Sequence, residues 1–147
     1  MMTLSKRISL ALLTAVLPLL TGCTRHSKNE QYYLIATNTD VPYWKSATAG
    51  FAAAGVEYGV TVDTRGPAAF SPQAEVDEFR AMVARKPAGI LVSVANSNLM
   101  APEINAAIAA GIPAITIGSD SPESKRLYFI GTNNFEAGRG GGAWRRD

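Results

Sequence analysis

The chain is 147 residues long, 47% hydrophobic and 18% charged, which gives room for one domain with a real buried core and excludes wholesale disorder. Its formal charge of +2 falls to balance, twelve basic against twelve acidic residues, once Lys6 and Arg7 are set aside with the segment that carries them. A neutral domain without a stripe of Lys and Arg offers no electrostatic footprint for nucleic acid, because phosphate binding needs clustered cations.

The first element is MMTLSKRISLALLTAVLPLLTGC, with a basic start at Lys6 and Arg7 and an apolar stretch from Ile8 to Leu20. It has the form of an export signal. A membrane-spanning helix is the alternative, but a span needs roughly 20 apolar residues, and this run is shorter and interrupted by Pro18. The sole cysteine follows in Leu20-Thr21-Gly22-Cys23, which resembles the bacterial lipoprotein signal motif, cleaved just before the cysteine. Residues 1–22 are thus expected to be a removed signal peptide, Cys23 a lipidated N-terminus, and residues 23–31 a polar, solvated tether. The only histidine, His26, falls in that tether. The folded part therefore lacks a histidine base or ligand, which removes Ser-His-Asp and Cys-His catalysis. No Cys/His cluster has zinc spacing; no metal, cofactor or enzymatic role is expected.

Tyr32 to Thr37 (YYLIAT) reads as a buried first strand. From Trp44 the residues Ala47, Phe51, Ala54 and Tyr58 recur at steps of three and four, the pattern of a helix closing at Gly59. Val60 to Thr64 follows as a strand. Ser71-Pro72 supplies an N-cap and a first-turn proline for a second helix, buried through Val76, Phe79 and Val83. Gly89 to Val94 is the third strand. A third helix is expected from about Met100 to Ala110, Ala114 to Ile117 is the fourth strand, and Leu127 to Ile130 the fifth. Apolar strands alternating with helices imply an α/β fold, a doubly wound parallel sheet covered on both faces. Ligands of such sheets bind beyond the carboxyl ends of the strands. The loops there span 38–43, 65–70, 95–98, 118–121 and 132–134.

In DVPYW, AGILVSVANSNLM, AAGIPAITIGSDSP and FIGTNNFEAG, which run in order along the chain from residue 32, the sequence resembles periplasmic solute-binding proteins of the ribose-binding type, which serve ABC importers. The resemblance implies a Rossmann-like lobe over residues 32–133, one of two that trap a sugar or similar small polar solute between them. It implies an exported, lipid-anchored protein facing the periplasm or cell exterior, with an ABC permease as partner. A sensor lipoprotein that presents solute to a receptor is the alternative. Tyr43 and Trp44 would offer aromatic faces to a sugar, although Trp44 also begins the apolar stripe of its helix and can equally serve the core. Thr37, Ser93, Ser119, Asp120 and Thr132 would complete the ligand contacts, and Asn133 and Asn134 would act at the hinge between lobes. The pattern departs from the family at three places. Gly118 stands where an Asp usually closes the strand, Val41 replaces an asparagine, and Ser93 replaces another. If the solute is a simple sugar, Gly118→Asp is then expected to strengthen binding. Arg65 is expected to be a solvated charge, and Asn96 and Asn98 turn residues.

Residues 134–147 match the start of a second lobe, so a truncated product or a fragment is expected, and weak solute binding with it. The tail GRGGGA (Gly138 to Ala143) formally fits the dinucleotide pattern, but no strand precedes it and no acidic ribose contact follows about 20 residues on. An accidental fit is expected.

Overall fold

A computed structural model describes residues 26–143; the expected signal peptide, Cys23 and Trp144 lie outside the described residues. Five strands, β1 (Gln31–Ile35), β2 (Thr61–Arg65), β3 (Gly89–Val92), β4 (Ala114–Ile117) and β5 (Phe129–Ile130), form one sheet in the order β2-β1-β3-β4-β5. All four pairings are parallel. Four helices accompany them: α1 (Pro42–Tyr58), α2 (Pro72–Val83), α3 (Ser97–Ala109) and α4 (Asn134–Ala143). The chain reverses its direction of travel across the sheet between β2 and β3, on either side of β1. That puts α2 and α3 on one face and α1 on the other, the doubly wound arrangement.

The two faces are unequal. Under α2 and α3 lies the main core, where Tyr33, Ile35, Ile90 and Val92 of the sheet meet Val76, Phe79, Met100 and Ile104, each at most 3% exposed. On the other face the buried residues are Leu34, Ala36 and Trp44, with Gly55 further along α1, and Ala47, Phe51, Leu91 and Ile117 pack at their margin. The stripe expected from Trp44 to Tyr58 is therefore right in direction but shallow, and Tyr58 is exposed.

Local signals placed most boundaries. The Ser71 hydroxyl accepts from the Ala74 N–H at 3.3 Å, and Pro72 opens α2, as the Ser-Pro pair predicts. Helix α3 starts earlier than expected, at Ser97, because Asn96 caps it through the Leu99 N–H at 3.2 Å; its polar first turn carries no apolar periodicity to read. Helix α4 passes through Gly140, Gly141 and Gly142, each of which weakens a helix interior by about 1 kcal/mol. Every residue from Phe135 to Gly142 is exposed. The GRGGGA run is thus helix interior rather than a turn after a strand, which removes its dinucleotide reading.

The end of the expected tether is folded, with Ser27, Lys28 and Asn29 still exposed. Glu30 accepts from the Ser27 N–H and the Tyr32 hydroxyl, both at 2.9 Å. The His26 ring meets Tyr58 edge-on at 5.6 Å.

Candidate functional site

Because all strands point the same way, their carboxyl ends gather the β1–α1, β2–α2, β3–α3, β4–β5 and β5–α4 connections at one pole. An open hollow of about 530 Å³ lies there, lined by Tyr43, Ile117, Gly118, Ile130, Gly131, Thr132 and Asn134. This is within the usual size of small-molecule sites, and its lining mixes aliphatic, aromatic and hydroxyl groups.

Tyr43 and Trp44 open α1 and divide the two roles between them. Trp44 is 5% exposed and packs against Leu34 and Ala36, so it is core. Tyr43 is 60% exposed and stands edge-on to the Trp44 ring, with centroids 4.9 Å apart and planes at 89°. That arrangement is favourable for aromatic pairs, and it holds the Tyr43 ring upright in the wall of the hollow.

The β4 end brings Gly118 under Tyr43. Its φ is +74°, and a Cβ built there would lie 3.3 Å from the Tyr43 hydroxyl oxygen and 3.9 Å from both Ser93 Oγ and Trp44 Cη2. The left-handed backbone favours glycine, and an added Cβ would need the Tyr43 hydroxyl to give by a few tenths of an ångström. This changes the expectation for Gly118→Asp. Although Asp tolerates the left-handed region better than most residues, the variant is expected to lose about 1 kcal/mol of stability. A lower thermal midpoint checks this; an unchanged one would show that the loop relaxes at no cost.

Ser93, fully buried, donates from its hydroxyl to Ser119 Oγ at 3.5 Å. Thr132 and Asn134 reach the hollow directly. Asn133 instead caps α4, accepting the Glu136 N–H at 3.1 Å, while Thr37 is half-buried just beyond β1 and is not part of the lining.

Asp120 is the clear departure among the expected contacts. Its carboxylate receives both Arg126 Nε and Nη2, the Thr116 hydroxyl at 2.6 Å and the Ser121 N–H at 2.8 Å. The Arg126 guanidinium, with these other donors, holds the carboxyl below its ordinary range. These bonds pin the β4–β5 connection. Arg65 pairs with Asp63 at 2.7 Å and stays exposed, as expected.

Two residues beneath the site were missed. Gly66, at φ +143°, lies so close to Ala36 that a Cβ would fall 2.2 Å from the Ala36 carbonyl oxygen; the Gly66-Pro67 dipeptide was its signal. Glu75 is fully buried on α2, one Oε accepting the Ala95 N–H at 2.9 Å and the other without a partner among the described residues. Burial pushes its carboxyl up to about 7, partly opposed by that N–H. Its spacing to Phe79, one helical turn on, put it in the buried register. Among the described residues no group of three His, Cys, Asp or Glu could hold a metal ion.

Solved structures similar to this one include proteins named for sugar binding. A sugar-binding protein of a sugar ABC transporter from Bacillus halodurans is 34% identical with a TM-score of 0.77, over 80% of this chain and 40% of its own. The arabinose-binding protein AraP from Geobacillus stearothermophilus is 32% identical with a TM-score of 0.76, over 80% and 40%. XylFII, in its complex with LytSN, is 32% identical with a TM-score of 0.75, over 80% and 43%. The chain thus spans about two fifths of the length of these relatives. No curated protein matches it. The model of the periplasmic binding protein domain matches residues 32–145, with the parallel sheet and the polar-aromatic hollow where that fold places its ligands, and the chain belongs to the periplasmic binding protein family.

Proposed function

We propose that the hollow is one wall of a sugar-binding cleft, and that the chain is the solute-capturing lipoprotein of an ABC importer. The observation that carries this reading is the upright, exposed Tyr43 ring above Gly118, next to the Thr132 and Asn134 side chains. An aromatic face takes the C–H side of a sugar ring, and the polar groups around it take hydroxyls. The names of the relatives, a sugar-binding protein and an arabinose-binding protein, agree with it. In this reading residues 1–22 are the export signal, Cys23 carries the lipid, residues 32–133 are the lobe, and Asn133 and Asn134 stand at its hinge. The protein faces the periplasm or cell exterior. Polypeptide equivalent to the remaining length of the relatives supplies the facing wall.

A single open wall excludes little water, so the chain by itself is expected to bind pentoses and hexoses weakly, with millimolar dissociation constants. Amide shifts in NMR titrations are expected to move at Tyr43, Gly131 and Thr132. Tyr43→Ala is expected to weaken binding up to about tenfold, the loss of one stacking contact. If no sugar moves these amides, the sugar reading fails; micromolar binding by this chain alone removes the need for a facing wall.

A second reading has support from one relative. XylFII is solved as a complex with LytSN, and a protein partner of that kind, in place of a permease, agrees with the sensor reading.

A further inference from the structure

The pole opposite the hollow holds the amino ends of the strands and the carboxyl end of α1. Residues 26–31 lie across it as a fixed segment. The Glu30 carbonyl accepts the Thr61 N–H at 2.9 Å, the Lys28 carbonyl accepts the Thr61 hydroxyl at 3.3 Å, and the Gln31 carbonyl accepts the Ala88 N–H at 2.8 Å. Two shallow depressions flank the segment. One includes Arg85 and Lys86 beside Ser27 and Asn29; the other includes Val56 and Gly59 beside Lys28. Val56 is 85% exposed and Tyr58 57%.

The charge at this pole is weakly positive, with Lys28, Arg85 and Lys86 against Glu30 and Glu57. Lys28, Arg85 and Lys86 are exposed, and none has a salt-bridge partner among the described residues. Glu30, its carboxyl held below the ordinary range by hydrogen bonds from His26 and Tyr32, and exposed Glu57 carry negative charge beside them.

We propose that this pole is a membrane-contacting surface, seated on anionic phospholipid head groups with Val56 and Tyr58 at the interface. The inference rests on the reading of Cys23 as the lipid anchor. Cys23 is three residues before His26, and three extended residues reach at most about 11 Å. A lipid on Cys23 therefore brings this pole, and not the hollow, to the bilayer. What it meets there fits: tyrosine favours the interface, and juxtamembrane Lys and Arg are attracted by anionic lipid. The hollow then faces away from the membrane, open to solute.

The test uses the full chain, expressed with its export signal and reconstituted in vesicles of phosphatidylcholine with phosphatidylglycerol. Val56→Cys and Phe70→Cys, both at exposed positions on opposite poles, are labelled with a membrane-impermeant maleimide. Val56→Cys is expected to react about tenfold more slowly than Phe70→Cys in vesicles, as an interfacial site should, and at the same rate in detergent. Adding Lys28→Glu and Lys86→Glu is expected to bring the vesicle rates together. Equal rates in vesicles without those charge reversals overturn the proposal. Protection that persists in detergent also overturns it, since a protein contact would then cover the pole. Reaction at Cys23 in the parent chain shows a free thiol there and removes the anchor reading, and this orientation with it.

Discussion

Raising the pH from about 5 to about 8 is expected to lower the stability of the chain by about 3 kcal/mol through Glu75, and Glu75→Gln is expected to remove that loss. The carboxyl is fully buried, and burial raises it from 4.5 to about 7 in the folded protein. A group raised on folding contributes fully below its unfolded value, and the contribution is lost as pH rises through the folded value. The window is therefore about 4.5 to 7. Asp120 and Glu103 act in the opposite direction, since arginine partners lower both. Their contribution is present above the ordinary carboxylate value and fails on the acid side, so they do not obscure the window. Gln keeps a carbonyl for the Ala95 N–H but cannot ionise. Denaturant midpoints of both proteins across this range decide the matter; parallel profiles would show that Glu75 is not the titrating group.

Gly66→Ala is expected to destabilise the chain by about 2 to 4 kcal/mol, a fall in Tm on the order of 10 °C. The added Cβ meets backbone, the Ala36 carbonyl, where no side chain can turn aside. The φ of +143° adds strain for any L residue. Around this point the β1–α1 and β2–α2 connections are tied together: Ala36 N–H donates to the Arg65 carbonyl at 2.8 Å, and Thr39 N–H to that of Pro67 at 3.0 Å. The same connection leads to Tyr43, so binding should weaken with stability. Gly50→Ala is the control. Gly50 lies within α1 with nothing near its Cβ position, and the change should stabilise by about 0.5 to 1 kcal/mol. Equal effects at both glycines would refute the close-approach account.

The sequence by itself determined the order of strands and helices, the parallel sheet and the pole at which a solute would meet it. Those features depend on neighbours three or four residues apart, such as the Ser71-Pro72 cap or the Val76 and Phe79 stripe, and such spacing survives in a linear text. It also separated Tyr43 from the stripe of α1, and so pointed to its exposure. Tertiary structure alone decided the rest. Trp44 had two compatible roles, and only the closeness of Leu34 and Ala36 assigned it to the core. Asp120 looked available until the β4–β5 connection folded back and brought Arg126 to it. Gly118 read as a lost contact, whereas the turn's positive φ favours glycine there and the Tyr43 hydroxyl lies close to where a Cβ would stand. Residues 26–30 read as a polar tether because their partners, Tyr58 and Thr61, come from the far end of α1 and from β2. In each case the deciding partner is brought by a turn or a crossover, and the free energy of that meeting is a property of the packed chain rather than of any local stretch.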